Sequence, residues 1–485
     1  MVSLAAMLVL NLALTSIERA QPGAVSADAR REYMRGTALE AQQNLDEAAR
    51  AYERAIQLDP RLAVAHDRLG FVYGLKGRTA DAVAEFERGR AIDPALFDAQ
   101  YHLGATLWWT GQHEQALDPL KIAVRLKPEH TEARYYLGLS LKKRGDLLTA
   151  IDELEAAVRL NPNLAPAVLQ LGLALTEAGD AEGGVAQLRR AVSLDPSSRE
   201  ARNALGLALL QHGDGDAAVD TFRALVASNP DFHTARLNLG TTLMQRGDLD
   251  GASAVLRELI AKDPSNAAAH YNLGVALKQK DDFAGAEEAL KRAVDLDRTL
   301  ADAPYTLGVV LWQTGRATEA TGAFRQAIAR RPDYDEAHYM LGTVLRQLGD
   351  RDAALTEIRE AIRLRPSSPE AHLTLGQMLQ QQGDRSAADA EFETARRLNE
   401  KKAAVQASTF AVGAGRARMK DGDVPGAIEQ FERAVTLAPD NFEAHYELAK
   451  AFTRLQKKDA AQKHLAEARR LAPKVWFQDP DPKSK

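Results

Sequence analysis

Apolar residues along this chain fall into two short stripes, and the same pair of stripes returns every 34 residues. Residues 131–164 serve as a specimen. Ala133, Leu137 and Leu141 stand on one face of a first predicted helix. Ala150, Leu154, Ala157 and Val158 stand on one face of a second. Between them Gly145-Asp146 predicts a turn, with glycine past one helix end and aspartate capping the next. Asn161-Pro162 predicts the stop, because proline disfavours helical geometry in the residue before it. Each unit reads as a short antiparallel helix pair.

The prolines keep the count. Pro60, Pro94, Pro128, Pro162, Pro196, Pro230 and Pro264 recur without a slip, and the beat returns at Pro332, Pro366, Pro439 and Pro473. With Pro60 at position 32, eleven units run from 29–62 to 369–402. Residues 403–407 interrupt the register, and two further units follow at 408–441 and 442–475. The interruption predicts either a lengthened helix or a joint that re-angles the last two units. Position 8 is glycine in twelve of the thirteen units, with Ala449 the exception. Glycine inside a helix costs about 1 kcal/mol relative to alanine, so close approach of the paired helices is the expected compensation. Position 24 is always bulky and apolar, as at Phe86, Leu154 and Phe222, and sits opposite that gap.

Leu-Gly at positions 7 and 8, an aromatic or aliphatic at 11, Ala at 20, a bulky residue at 24 and Pro at 32 resemble the tetratricopeptide repeat. Leu69, Gly70, Tyr73, Ala82, Phe86 and Pro94 carry the pattern in one unit, and the resemblance covers residues 29–475. It implies an all-α, right-handed α-solenoid, a superhelix of tandem antiparallel helix pairs whose first helices line a concave groove. It implies binding of peptides or other proteins there, hence a non-catalytic interaction scaffold or adaptor docking an extended segment. Two alternatives stand beside that reading: a substrate-recruiting arm for a separate enzyme such as a glycosyltransferase, and a cell-envelope assembly factor.

The resemblance assigns positions 2, 5, 9, 12 and 13 to the groove. Position 5 is tyrosine in seven units, among them Tyr101, Tyr135, Tyr271, Tyr305 and Tyr339. Tyrosine suits recognition, with large contact area and one polar tip, and it equally suits packing against a neighbouring unit. Position 13 is glutamine in six consecutive units: Gln211, Gln245, Gln279, Gln313, Gln347 and Gln381. Such a row of amides can hold an extended backbone without reading its sequence, or simply meet water. Trp108 and Trp109 take positions 12 and 13 of one unit, Lys142 and Lys143 the same places in the next, and Trp312 position 12 further on. Aromatic beside cationic groups form a candidate clamp for an acidic or aromatic ligand. Nearby Pro119 falls inside a second helix, which removes a backbone bond. The lysine-asparagine clamp by which some members of that family hold a C-terminal carboxylate is absent, as is the asparagine ladder of the sugar-transferring members.

Composition narrows the function. Basic and acidic residues number 62 and 67, for a formal charge of −5, which gives no electrostatic case for nucleic acid or anionic lipid. There is no cysteine, which excludes disulfides, thiolate catalysis and iron–sulfur ligation. No metalloprotease, phosphate-loop or nucleophile-elbow motif occurs, and the five histidines at position 4 lack the further ligands a metal needs. The chain is therefore expected to be no enzyme and to need no cofactor. Residues 1–27 read as a signal peptide, with an apolar run from Leu4 to Leu14 too short to span a bilayer and Val25-Ser26-Ala27 as a cleavage site. Export is the expectation, with the cytoplasm as alternative and no stable membrane span once the leader is gone. Residues 476–485 form a tail in which Trp476-Phe477 covers the last unit's open face or stays sticky.

Overall fold

The computed structural model describes residues 26–472, so the leader run, Val25 of the candidate cleavage site and the Trp476-Phe477 tail lie outside the described residues, while Ser26 caps the helix Ala27–Ala41. The described residues form twenty-five α-helices and no strand. The architecture is the all-α solenoid of helix pairs, and the chain divides into two compact units, residues 1–201 and 202–485.

In the first unit the specimen repeat becomes the helices Thr131–Arg144 and Leu147–Leu160. Leu137, Leu141, Ala150 and Leu154 are buried as the stripes require. Gly145 takes a left-handed φ of 91°, which glycine reaches without steric cost. The expected cap at Asp146 is not made, because its carboxylate turns to Arg144 instead. Asp180 does cap, accepting from the Gly183 amide at 2.9 Å. The small-opposite-large pairing is also real. A Cβ added to Gly104 would lie 2.5 Å from Leu120 Cγ, closer than side-chain carbons approach one another. One apolar cluster from Ala29 to Ala150 holds much of this unit together.

The second unit repeats the scheme, with Phe222, Phe324 and Phe431 fully buried at position 24. At residues 403–407 the structure has the lengthened helix. A single 36-residue helix, Arg385–Lys420, runs through the interruption. The cause is local: Glu400 replaces the stop proline, and Lys401, Lys402, Ala403 and Ala404 are good helix formers. One core cluster packs on the first part of this helix, through Ala388 and Phe392, and another on the last part, through Ala411, Val412 and Met419.

A fastener absent from the sequence reading recurs at position 4. His66 places Nδ1 2.6 Å from Glu85 of its own second helix and Nε2 3.3 Å from the Pro60 carbonyl of the unit before. Arg134 does the same with Glu153 and Pro128, and His338 with Glu357 and Pro332. The proline stop leaves a carbonyl free, and position 4 satisfies it. Gln100 donates to the Pro94 carbonyl at 3.0 Å; position 23 of that unit is Pro119, and the buried Gln100 Oε1 has no hydrogen-bond partner. The helix His113–Leu126 runs on through Pro119.

Candidate functional site

In the first unit the candidate groove positions gather into an aromatic cluster. Trp109 is 71% exposed, and its Nε1 donates to the Tyr136 hydroxyl at 3.0 Å. Trp108 stands edge-on to it, ring centres 5.1 Å apart, and also meets Tyr136 at 5.6 Å and His113 at 5.7 Å. The Trp108 indole nitrogen is buried without a partner. Tyr101 lies 6.5 Å from Tyr136, and Tyr135 lies 5.3 Å from it on the other side. Burial pushes the Tyr101 and Tyr135 phenols up to about 12, so both are neutral donors at physiological pH. Edge and tilted ring contacts of this kind hold an aromatic surface rigid.

The two lysines part company. Lys142 is half-buried and reaches Glu177 of the next unit at 3.6 Å. Burial lowers its pKa ahead of the opposing pull of Glu177, which makes it a structural tie. Lys143 is exposed beside it, and is the cation of this pair open to a ligand.

In the second unit Tyr271, Tyr305 and Tyr339 are half-buried and pack against the local core. Tyr305 tilts against Tyr334 at 4.9 Å and Phe324 at 5.9 Å. Burial raises the Tyr271 and Tyr305 phenols, and Tyr271 also bonds Thr306. These tyrosines spend much of their area on packing. The amides do not: Gln211, Gln245, Gln279, Gln313, Gln347 and Gln381 are all exposed. Gln347 accepts from Trp312 Nε1 at 2.9 Å, so the third candidate tryptophan is tied into the row.

Among the described residues no group of three or more His, Asp or Glu side chains could hold a metal ion. No helix is long and apolar enough to cross a membrane among them. His66, His338 and His372 are occupied by the fastener described above, while His270 reaches only the Pro264 carbonyl and His445 meets His464 and the Pro439 carbonyl. Sequence reasoning missed that role, although its signal was present: the four units with Glu at position 23 (Glu85, Glu153, Glu357 and Glu391) all carry His or Arg at position 4.

Comparison with known proteins bears on the same residues. The family model described as the Cilia and flagella-associated protein 70 C-terminal domain matches residues 201–411. Tetratricopeptide repeat models match 101–165, 169–232, 36–77 and 415–456. No curated protein gives a significant match. A solved structure of MamA is 31% identical, covering 34% of this chain and 96% of its own, with a TM-score of 0.33. Pseudomonas aeruginosa pilF is 23% identical, covering 43% and 94%, with a TM-score of 0.38. A chain of the APC/C hetero-tetramer Cut9–Hcn1 is 15% identical, covering 93% and 94%, with a TM-score of 0.34.

Proposed function

This chain belongs to the tetratricopeptide-repeat family, and from that premise we propose that it is a non-catalytic scaffold gripping an extended protein segment along its first helices. The observation that carries the reading is Trp109. A tryptophan so exposed costs the free protein contact with water, yet here it is locked by Tyr136 and Trp108 in one orientation. Rigid aromatic anchors lose little entropy on binding and dominate interface energies. Exposed Lys143, at the same position of the next unit, favours an acidic or aromatic partner residue. The exposed glutamines supply donors and acceptors for a partner backbone further along the array.

The test is affinity capture from an extract with the wild-type chain against Trp109→Ala and a Gln279, Gln313, Gln381 triple alanine variant. Both variants change exposed side chains, so their melting curves should match wild type. A partner held by wild type and lost from Trp109→Ala identifies ligand and site together. Equal capture by all three refutes the proposal, and co-purification of a separate transferase whose activity depends on the chain favours the enzyme-arm alternative. The leader supports action outside the cytoplasm, which fractionation of the full-length chain checks.

A further inference from the structure

Position 3 is alanine in eleven units, and each of those alanines is at most 1% exposed. It is small because it packs on position 27 of the unit before. Ala133 clusters with Ala123, and Ala337 with Ala327. Position 7 of the same stripe is leucine in the same eleven units. Two units break the rule. The first carries Arg31 and Arg35, whose side chains are 76% and 55% exposed. The twelfth carries Phe410 and Ala414, and Phe410 is 83% exposed.

The twelfth unit is uncovered for a definite reason. Its first helix is the continuation of the preceding unit's second helix, and a helix does not stack on itself. The stripe that another unit would cover is thus open. Where the first unit answers that exposure with two arginines, the twelfth offers Ala403, Ala407, Phe410, Ala414 and Ala417. Their spacing alternates four and three, the seam of a helix pair. Buried Met419 lies nine residues beyond Phe410, about 180° around the helix, so Phe410 stands on the face opposite that core contact. All but half-buried Ala414 are exposed.

We propose that this seam is a self-association surface on which a second copy of the chain lies antiparallel, with the two-fold axis at Phe410. The seam is complementary to itself. Pairing about Phe410 sets residue 410−n beside 410+n, which brings Ala403 against Ala417 and Ala407 against Gly413. A Cβ on Gly413 would meet nothing within 4 Å, so the helix is open there for the close approach of the partner's Ala407 beside the paired Phe410 rings. Glu400 comes alongside Lys420, an opposite charge at each end. Length fits as well. Lys402 reaches Glu370 at 3.1 Å, marking where the helix Pro369–Gln382 ceases to cover the long helix. From there to Lys420 the open ledge spans about five turns, and a partner of equal length is another such ledge. One helix pair of that size falls below the roughly 1,200 Å² of stable complexes, so the dimer belongs to the reversible, micromolar-or-weaker class.

The native chain lacks cysteine, which makes the test clean. Sedimentation of the full chain from low to several hundred micromolar should show a monomer–dimer equilibrium, weakened about tenfold or more by Phe410→Ala and abolished by Phe410→Glu. Under mild oxidation Phe410→Cys should link to itself. Ala403→Cys and Ala417→Cys should link when mixed and not alone. A wild-type chain monomeric throughout overturns the proposal and leaves the ledge to another occupant, such as the chain's own residues 473–485. Dimers that survive Phe410→Glu, or Ala403→Cys chains that link among themselves, overturn it equally.

Discussion

Two glycines in neighbouring helices of the second compact unit give opposite expectations for the same substitution. Gly342 lies at position 8 of the helix Asp335–Leu348. An added methyl would sit 2.8 Å from Ile358 Cγ1, 2.9 Å from its Cδ1 and 3.1 Å from the Ala354 carbonyl oxygen. Ile358 is fully buried and β-branched, so it has few rotamers to retreat into, and the carbonyl belongs to a helix backbone. Overpacking a core by one methyl costs about 1–3 kcal/mol, while replacing a helical glycine by alanine returns about 1 kcal/mol. Gly342→Ala should therefore destabilise by about 1 kcal/mol. Gly322, in the helix Ala317–Arg330, is exposed with nothing within 4 Å of an added Cβ. Gly322→Ala should keep the propensity gain and stabilise by up to about 1 kcal/mol. Urea unfolding followed by circular dichroism separates them, with midpoints compared because repeat arrays need not unfold in one step. Midpoints moving the same way in both variants would refute the claim that position 8 is glycine for want of space.

Three further outcomes are expected. Trp109→Ala should leave the unfolding free energy within about 0.5 kcal/mol of wild type, as surface changes do, while removing a bound partner; a large loss of stability would mark Trp109 as a packing residue. His102 sits 2.8 Å from buried Asp67 and between Phe71 and Phe86. Burial disfavours the charged ring, yet Asp67, with help from Asp98 and against Arg68, raises its pKa overall. A raised folded value means stability present at mildly acidic pH and lost as pH rises through it. Asp67→Asn should flatten that slope in urea midpoints taken across neutral pH, and an unchanged slope would discount the pair. Residues 399–407 are exposed except for half-buried Ala404, so Glu400→Pro should break the long helix there at about 3 kcal/mol of local stability. Limited proteolysis should then cut within this stretch in the variant and not in wild type.

The repeat made most of the fold legible. Glycine at position 8 against a bulky residue at 24, and proline at 32, encode helix, turn and close approach within one unit, which is information local to the chain. The candidate site was legible as positions, not as availability. Tyr305 and Lys142 satisfied the same pattern as Trp109 and Lys143, but packing against Tyr334 and pairing with Glu177 consumed them. Those partners lie about one repeat away, and only stacking decides whether a side chain reaches its neighbour or water. The five extra residues at 403–407 were visible as a count, without their outcome. That outcome was decided when one helix absorbed two, leaving Phe410 where every other stacked unit buries an alanine. Sequence thus determined what each helix pair is made of, because its signals act within a few turns. Tertiary structure decided which faces remain open, because exposure belongs to the assembled stack.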